Sequence, residues 1–158
     1  MTQSLTVRPT SRPTEVDPRG PRFAAAITSL VLALVLVFAT SWVGLVLLAA
    51  QVVVFAIGAF AGPAASPYGH LYRRFVRPRL GPPAELEDVR PLQFAQQVGL
   101  GFSLVGLVGL VLVPVLGIVA VAFALAAAFL NAAFGLCLGC EAYLLIQRAR
   151  PARLSSTH

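Results

Sequence analysis

FAAAITSLVLALVLVFATSWVGLVLLAAQVVVFAIGAFAG, the stretch from Phe23 to Gly62, contains no Asp, Glu, Lys or Arg, and neither does a second run from Val98 to Cys140. Each is about twice the roughly 20 apolar residues that a membrane-spanning helix needs. Lipid offers a bare backbone no hydrogen-bonding partner, so a chain of this kind crosses as helices or as a closed barrel. Unbroken Leu, Val, Ala and Gly runs without period-two alternation exclude the barrel. Each run therefore reads as a helical hairpin, and the chain as an all-α, four-span transmembrane bundle built from two similar hairpins.

The rest of the composition agrees. Of 158 residues, 58% are hydrophobic and 11% charged, against roughly a quarter charged in soluble domains. No separate soluble domain fits beside the spans. A net charge of +6 in a soluble protein would suggest nucleic acid, but every basic residue is Arg and lies outside the apolar core of a hairpin. Arg8, Arg12, Arg19 and Arg22 precede the first run, Arg73 to Arg90 separate the two, and Arg148, Arg150 and Arg153 follow the second. The positive-inside rule then places both termini and the central loop in the cytoplasm, with the lipid bilayer as partner and no nucleic acid. The hairpin tips face out, at Thr40-Ser41-Trp42 and at Pro114 with Gly117.

Spans are expected near Pro21 to Ala39, Trp42 to Ala61, Gln93 to Val113 and Leu116 to Leu136. The layout is a disordered tail over 1–16, hairpin one over 17–62, a cytoplasmic loop over 63–91, hairpin two over 92–147 and a basic tail over 148–158. A cleavable leader ending at Val37-Phe38-Ala39 competes with this reading. Glu15 and Asp17 in the leader, and an uncleaved counterpart later in the chain, speak against it.

Asp17-Pro-Arg19-Gly-Pro-Arg-Phe23-Ala24 aligns without gaps on Asp88-Val-Arg90-Pro-Leu-Gln-Phe94-Ala95. The same offset sets Tyr68-Gly-His70-Leu-Tyr72 against Gly139-Cys-Glu141-Ala-Tyr143. A tandem repeat of two-span units would run parallel, about an axis along the membrane normal. Asp17 and Asp88 read as caps of the helices they precede, with a paired Asp/Arg surface site as the alternative. Ser66-Pro67 opens a short interfacial helix with Leu71, Tyr72, Phe75 and Val76 on its apolar face and Arg73, Arg74 and Arg77 toward anionic lipid or a partner. Leu80 to Pro91 is a linker.

Chemistry is concentrated in Cys137-Leu-Gly-Cys140-Glu141. If span four continues as helix, Cys137, Cys140 and Glu141 share one face with Leu144 and Arg148. A Cys-x-x-Cys pair can cycle between dithiol and disulfide, although an adjacent Glu141 does not favour the thiolate. Helical spacing holds the two Cβ atoms about 5 to 6 Å apart, so a disulfide needs the turn to loosen, which Gly135 and Gly139 allow. Three roles stay open: redox or sulfur-relay thiols, a metal site completed by His70, or small side chains packing a helix contact. No cofactor is implied. Gln51, Gln96, Gln97 and Asn131 read as interhelical glue. The absence of an ionisable residue at mid-depth argues against ion-coupled transport.

Val16-Asp-Pro-Arg-Gly-Pro-Arg-Phe23, Pro67-Tyr-Gly-His-Leu-Tyr-Arg-Arg-Phe75, Leu80-Gly-Pro-Pro and Gly135-Leu-Cys-Leu-Gly-Cys-Glu-Ala-Tyr143 together resemble domain-of-unknown-function family 4395. That family consists of small bacterial membrane proteins, many of them actinobacterial, and the resemblance runs from about Asp17 to Gln147. It implies no activity, but it does imply a thioredoxin-like or sulfurtransferase partner in the cytoplasm. All-Arg, Ala- and Val-rich usage fits a high-GC bacterium and hence the plasma (inner) membrane. The leading functional reading is a thiol protein whose Cys137 and Cys140 exchange electrons or sulfur, with Tyr68, His70, Tyr72 and Tyr143 shaping the site. A scaffold with a lipid- or partner-binding Arg-rich loop is the alternative, and a passive channel or small-molecule carrier the third.

Reporter fusions test the orientation. Fusions after Ala39 or Val113 are expected to be active only with a periplasmic reporter, and a fusion after Arg79 only with a cytoplasmic one; the reverse pattern overturns the assignment.

Overall fold

The computed structural model describes residues 15–149. Strand β1 (Glu15–Val16) leads into α1 (Arg19–Val37), and α2 (Trp42–Ala61) returns. After a 3-10 turn at Pro63–Ala65 comes α3 (Pro67–Leu71), which widens into a π turn at Tyr72–Val76 and tightens again at Arg77–Arg79. Strand β2 (Glu87–Asp88) opens the second half: α4 (Val89–Leu112), α5 (Pro114–Phe134) and α6 (Leu138–Ala149).

α1, α2, α4 and α5 are the four helices long and apolar enough to cross a membrane, and only 22% to 33% of each span is buried within the bundle. Leu30, Trp42, Phe60, Val111 and Phe123 stand on the outside. So large an apolar exterior needs lipid around it. The observed spans match the sequence expectation within a few residues, except that α4 starts several residues early, at Val89 rather than Gln93.

The bundle closes as a ring in which α1 touches α2 and α5, and α4 touches α2 and α5. Leu32, Val35, Leu48, Val121 and Ala124 form its centre. Between hydrocarbon-like helices no hydrophobic force favours contact over lipid, so close packing of small residues supplies the attraction. The second hairpin shows this most clearly. Val113 alone separates α4 from α5, and a Cβ built on Gly109 would lie 2.6 Å from the Gly117 nitrogen and 2.7 Å from its Cα.

At the other end the two halves are joined. β1 and β2 pair antiparallel, Glu15 with Asp88 and Val16 with Glu87. Glu15 and Val16, which the sequence reading places at the end of a disordered tail, form this strand; the rest of that expected tail, residues 1–14, and residues 150–158, with Arg150 and Arg153, lie outside the described residues. Asp17 Oδ1 accepts the Arg19 N–H at 3.0 Å and Asp88 Oδ1 accepts the Arg90 N–H at 2.9 Å, as the capping reading requires. The Arg19 guanidinium donates to the carbonyls of Gly81 and Pro82, at 3.1 and 3.3 Å, and so holds the linker against α1.

Ser66 caps α3, its Oγ accepting the Gly69 N–H at 3.1 Å. Leu71 and Phe75 are exposed as expected of an interfacial face. Tyr72 is not: it is 4% exposed, turned inward against Phe23 with ring centroids 5.9 Å apart and planes at 46°, and its hydroxyl donates to Asp17 Oδ2 at 2.9 Å. A phenol needs a partner for its O–H, and the capping carboxylate offers one that acyl chains do not. At the common offset, Phe94 and Tyr143 stack at 5.7 Å and 49°.

Two outcomes are expected in detergent unfolding experiments. Gly109→Val destabilises by about 1 to 3 kcal/mol through overpacking, whereas Gly101→Ala, where nothing lies within 4 Å of the added carbon, is neutral or slightly stabilising. Burial and the neighbouring Asp17 both raise the Tyr72 phenol from its ordinary value of 10.0. The folded state therefore holds that proton more tightly than the unfolded one. Its contribution is complete below pH 10 or so and is lost as pH rises through the higher folded value. Tyr72→Phe abolishes this part of the alkaline slope.

Candidate functional site

Cys137 and Cys140 are joined by a disulfide, with Cα atoms 5.2 Å apart. What allows the bond is a break in the helix that had been expected to run on to Leu136 and beyond. Gly135 adopts the left-handed conformation, φ 70°, ψ 14°, with its N–H on the Asn131 carbonyl. A side chain other than glycine pays for that conformation with strain. α5 ends at Phe134, residues 135–137 are not helical, and α6 restarts at Leu138. Cys137 thus caps α6, while Cys140, Glu141, Leu144 and Arg148 lie within it. A capping residue need not hold its side chain in the direction that a continuous helix would impose. Gly139 stays helical instead and lets α6 lie against α4, where an added Cβ would come within 2.6 Å of the Ala95 Cα.

Cys137 sits at the N-terminus of α6 as Ser66 does at that of α3. Its Sγ accepts the Cys140 N–H at 3.3 Å, and its carbonyl accepts the Glu141 N–H at 3.0 Å. The corresponding bonds in the first half are Gly69 N–H to Ser66 Oγ, and His70 N–H to the Ser66 carbonyl at 3.0 Å. Both cysteines are half-buried, and Glu141 is exposed.

Beneath the pair lies a cavity of about 270 Å³ between the helices, lined by Thr28, Ser66, Tyr68, Gln96, Asn131 and Cys137 together with apolar side chains. Among the described residues no charged side chain lines it, and Cys140 is not part of its wall. Its far wall includes Phe102 and Phe123, stacked at 6.3 Å and both exposed on the lipid side. A second cavity of about 360 Å³ opens toward the surface, where Glu15, Asp17, Tyr72, Arg73 and Arg77 line it. The two share Pro21, Ala24, Pro63, Ser66 and Gln96.

A polar chain stiffens the first half beside the inner cavity. The Tyr68 hydroxyl donates to Gln51 Oε1 at 2.8 Å, and Gln51 Nε2 donates to Thr28 Oγ1 at 3.4 Å. Gln51 is fully buried. Burial raises the Tyr68 phenol, so this hydroxyl stays a donor. Gln51 is the interhelical glue the sequence suggested. Gln96 and Asn131 line the cavity, and Gln96 also packs on α2, where a Cβ added to Gly58 would lie 2.8 Å from its Oε1.

The remaining expected site residues scatter. Of Tyr68, His70, Tyr72 and Tyr143, only Tyr68 lines the cavity that Cys137 borders. His70 is exposed, its Nδ1 3.1 Å from the Ser66 carbonyl. Among the described residues no three His, Cys, Asp or Glu side chains gather as metal ligands, so His70 does not join the cysteines. Tyr72 serves Asp17, and Tyr143 accepts from Gln147 Nε2 at 3.0 Å. Arg73, Arg74 and Arg77 are exposed, with the Arg74 guanidinium 6.0 Å from the Phe75 ring centroid.

No curated protein and no solved structure matches the chain. Residues 16–148, nearly all of the described bundle from β1 to the end of α6, match the family described as Domain of unknown function (DUF4395), and the chain belongs to that family.

Proposed function

We propose that the protein is a membrane-embedded thiol exchanger in the bacterial plasma membrane, in which Cys137 and Cys140 pass electrons or sulfur to and from a soluble cytoplasmic partner of thioredoxin-like or sulfurtransferase type. The observation that carries this reading is the bonded, half-buried pair at the start of α6. On the positive-inside orientation it lies on the cytoplasmic side, where disulfides are catalytic or transient far more often than structural.

The two sulfurs have different tasks. Reduction of the pair leaves Cys137 at a helix N-terminus, where the backbone N–H of Cys140 and the helix dipole favour its thiolate. Glu141, exposed to water, opposes this only weakly. A thiol that leaves more readily as thiolate is the better leaving group. A partner's thiolate therefore attacks Cys140 Sγ, Cys137 departs as thiolate, and the partner's second thiol resolves the mixed disulfide. Matching Phe–Tyr stacks, Asp–Arg caps and helix starts at one offset support a tandem repeat, with Ser66 and Gly69 as the non-reactive counterparts of the cysteines.

A second reading concerns the Arg-rich segment. Exposed Arg73, Arg74 and Arg77 beside exposed Leu71 and Phe75 suit anionic head groups, at about 1 kcal/mol per arginine. It is compatible with the first.

Maleimide labelling of membranes tests the thiol reading. Wild type is expected to take up no label before mild reduction and two labels after it. In single variants, the pH of half-maximal labelling is lower for Cys137 (in Cys140→Ala) than for Cys140 (in Cys137→Ala). Complete protection after reduction leaves the cysteines a packing role only.

A further inference from the structure

The geometry points to the inner cavity as a binding site for a lipid-soluble quinone, which takes the electrons that the Cys137–Cys140 pair collects. This inference rests on the thiol reading and names the terminal acceptor for it.

Three features of the cavity select the occupant. It is bordered by the one cysteine of the pair that stands outside α6, Cys137, and not by Cys140. Among the described residues its wall carries no charge, so a phospholipid head group or an anionic sulfur donor would lose its hydration without gaining a counter-charge. Its far side reaches Phe102 and Phe123, exposed to lipid. An amphiphile with an apolar tail in the bilayer and a neutral ring near Cys137 fits all three. Gln96, whose Oε1 lies toward Gly58 of α2, and Asn131 line the cavity and make no side-chain hydrogen bond to another described residue; their amide N–H groups are the donors assigned to the two ring carbonyls. Binding sites of this kind are apolar clefts with a few placed polar groups.

The chemistry balances without a further reagent. After the partner has reduced the pair, the Cys137 thiol gives its proton to water and its thiolate adds to a ring carbon of the quinone; the ring takes the electron pair, and one ring oxygen takes a proton back from water. The Cys140 thiol then attacks Cys137 Sγ; the S–S bond forms, the S–C bond breaks, and its electron pair leaves on the ring. The Cys140 proton follows to the second oxygen. Two thiols become one disulfide and one quinone becomes one hydroquinone, with two electrons and two protons transferred. Division of labour follows from position: Cys140 meets the soluble partner, and Cys137 meets the membrane carrier.

The test uses the full chain in lipid nanodiscs, reduced and freed of reductant, then mixed with decylubiquinone. Disulfide closure is counted by maleimide mass labelling and hydroquinone by absorbance. One hydroquinone per closed pair is expected, and none with Cys137→Ala. Ala127→Phe, which fills the cavity from α5, is expected to slow closure by quinone about tenfold, while oxidised glutathione still closes the pair at the wild-type rate. Asn131→Leu provides a milder variant, for which the quinone concentration giving half-maximal rate rises about tenfold. If glutathione closes the wild-type pair and decylubiquinone does not, the quinone site is overturned and the thiol reading stands. Equal quinone rates in wild type and both cavity variants likewise overturn the site. Failure of both oxidants with wild type removes the thiol reading as well.

Discussion

Lipid's inability to hydrogen-bond a backbone is the constraint from which this structure follows. It forces four regular helices, and it also removes the ordinary reason for helices to associate, since a neighbouring chain is no more apolar than an acyl tail. The bundle is held instead by contacts that lipid cannot imitate: close glycine approaches such as Gly109 on Gly117, and the buried chain from Tyr68 through Gln51 to Thr28. Irregular backbone is confined to the ends of the spans. That is also where the cysteines, the described arginines and the strand pair are found.

Span number, hairpin order and helix caps were legible because each rests on a local rule. Charge-free runs give spans, and Asp17, Asp88 and Ser66 act on N–H groups only two or three residues away. The end of α5 was less legible. Gly135 lies in an apolar sequence rich in helix formers, and its left-handed conformation becomes visible only once α6 is seen packed on α4 through Gly139 and Ala95. The inner cavity had no signature at all. It arises from where four helices fail to fill space, and the amides of Gln96 and Asn131 look identical in sequence to the buried amide of Gln51. Tyr72 was misplaced for a similar reason. An apolar stripe in a short amphipathic helix says which residues avoid water, not whether they meet lipid or protein.

Comparison of the two halves shows how little separates a hydroxyl cap from one that carries a disulfide. Ser66 and Cys137 occupy the same position before a helix and accept the same N–H three residues on. A hydroxyl there only satisfies an orphan donor. A thiol in the same place gains a favourable setting for negative charge and, with Cys140 in place of Gly69, a sulfur to bond to. The helix start is a structural requirement in both halves, and only the second half places a pair of sulfurs at it.

The pairing of Glu15–Val16 with Glu87–Asp88 carries a consequence for biogenesis. The strand that leads into the first span finds its partner only after the second span and the whole central loop have left the ribosome, and the Arg19 bonds to Gly81 and Pro82 wait equally long. The first hairpin must therefore reside in the bilayer unlatched during synthesis. Its closing clasp is contributed by the segment that immediately precedes insertion of the second hairpin, so assembly of the two halves is tied to the order of translation.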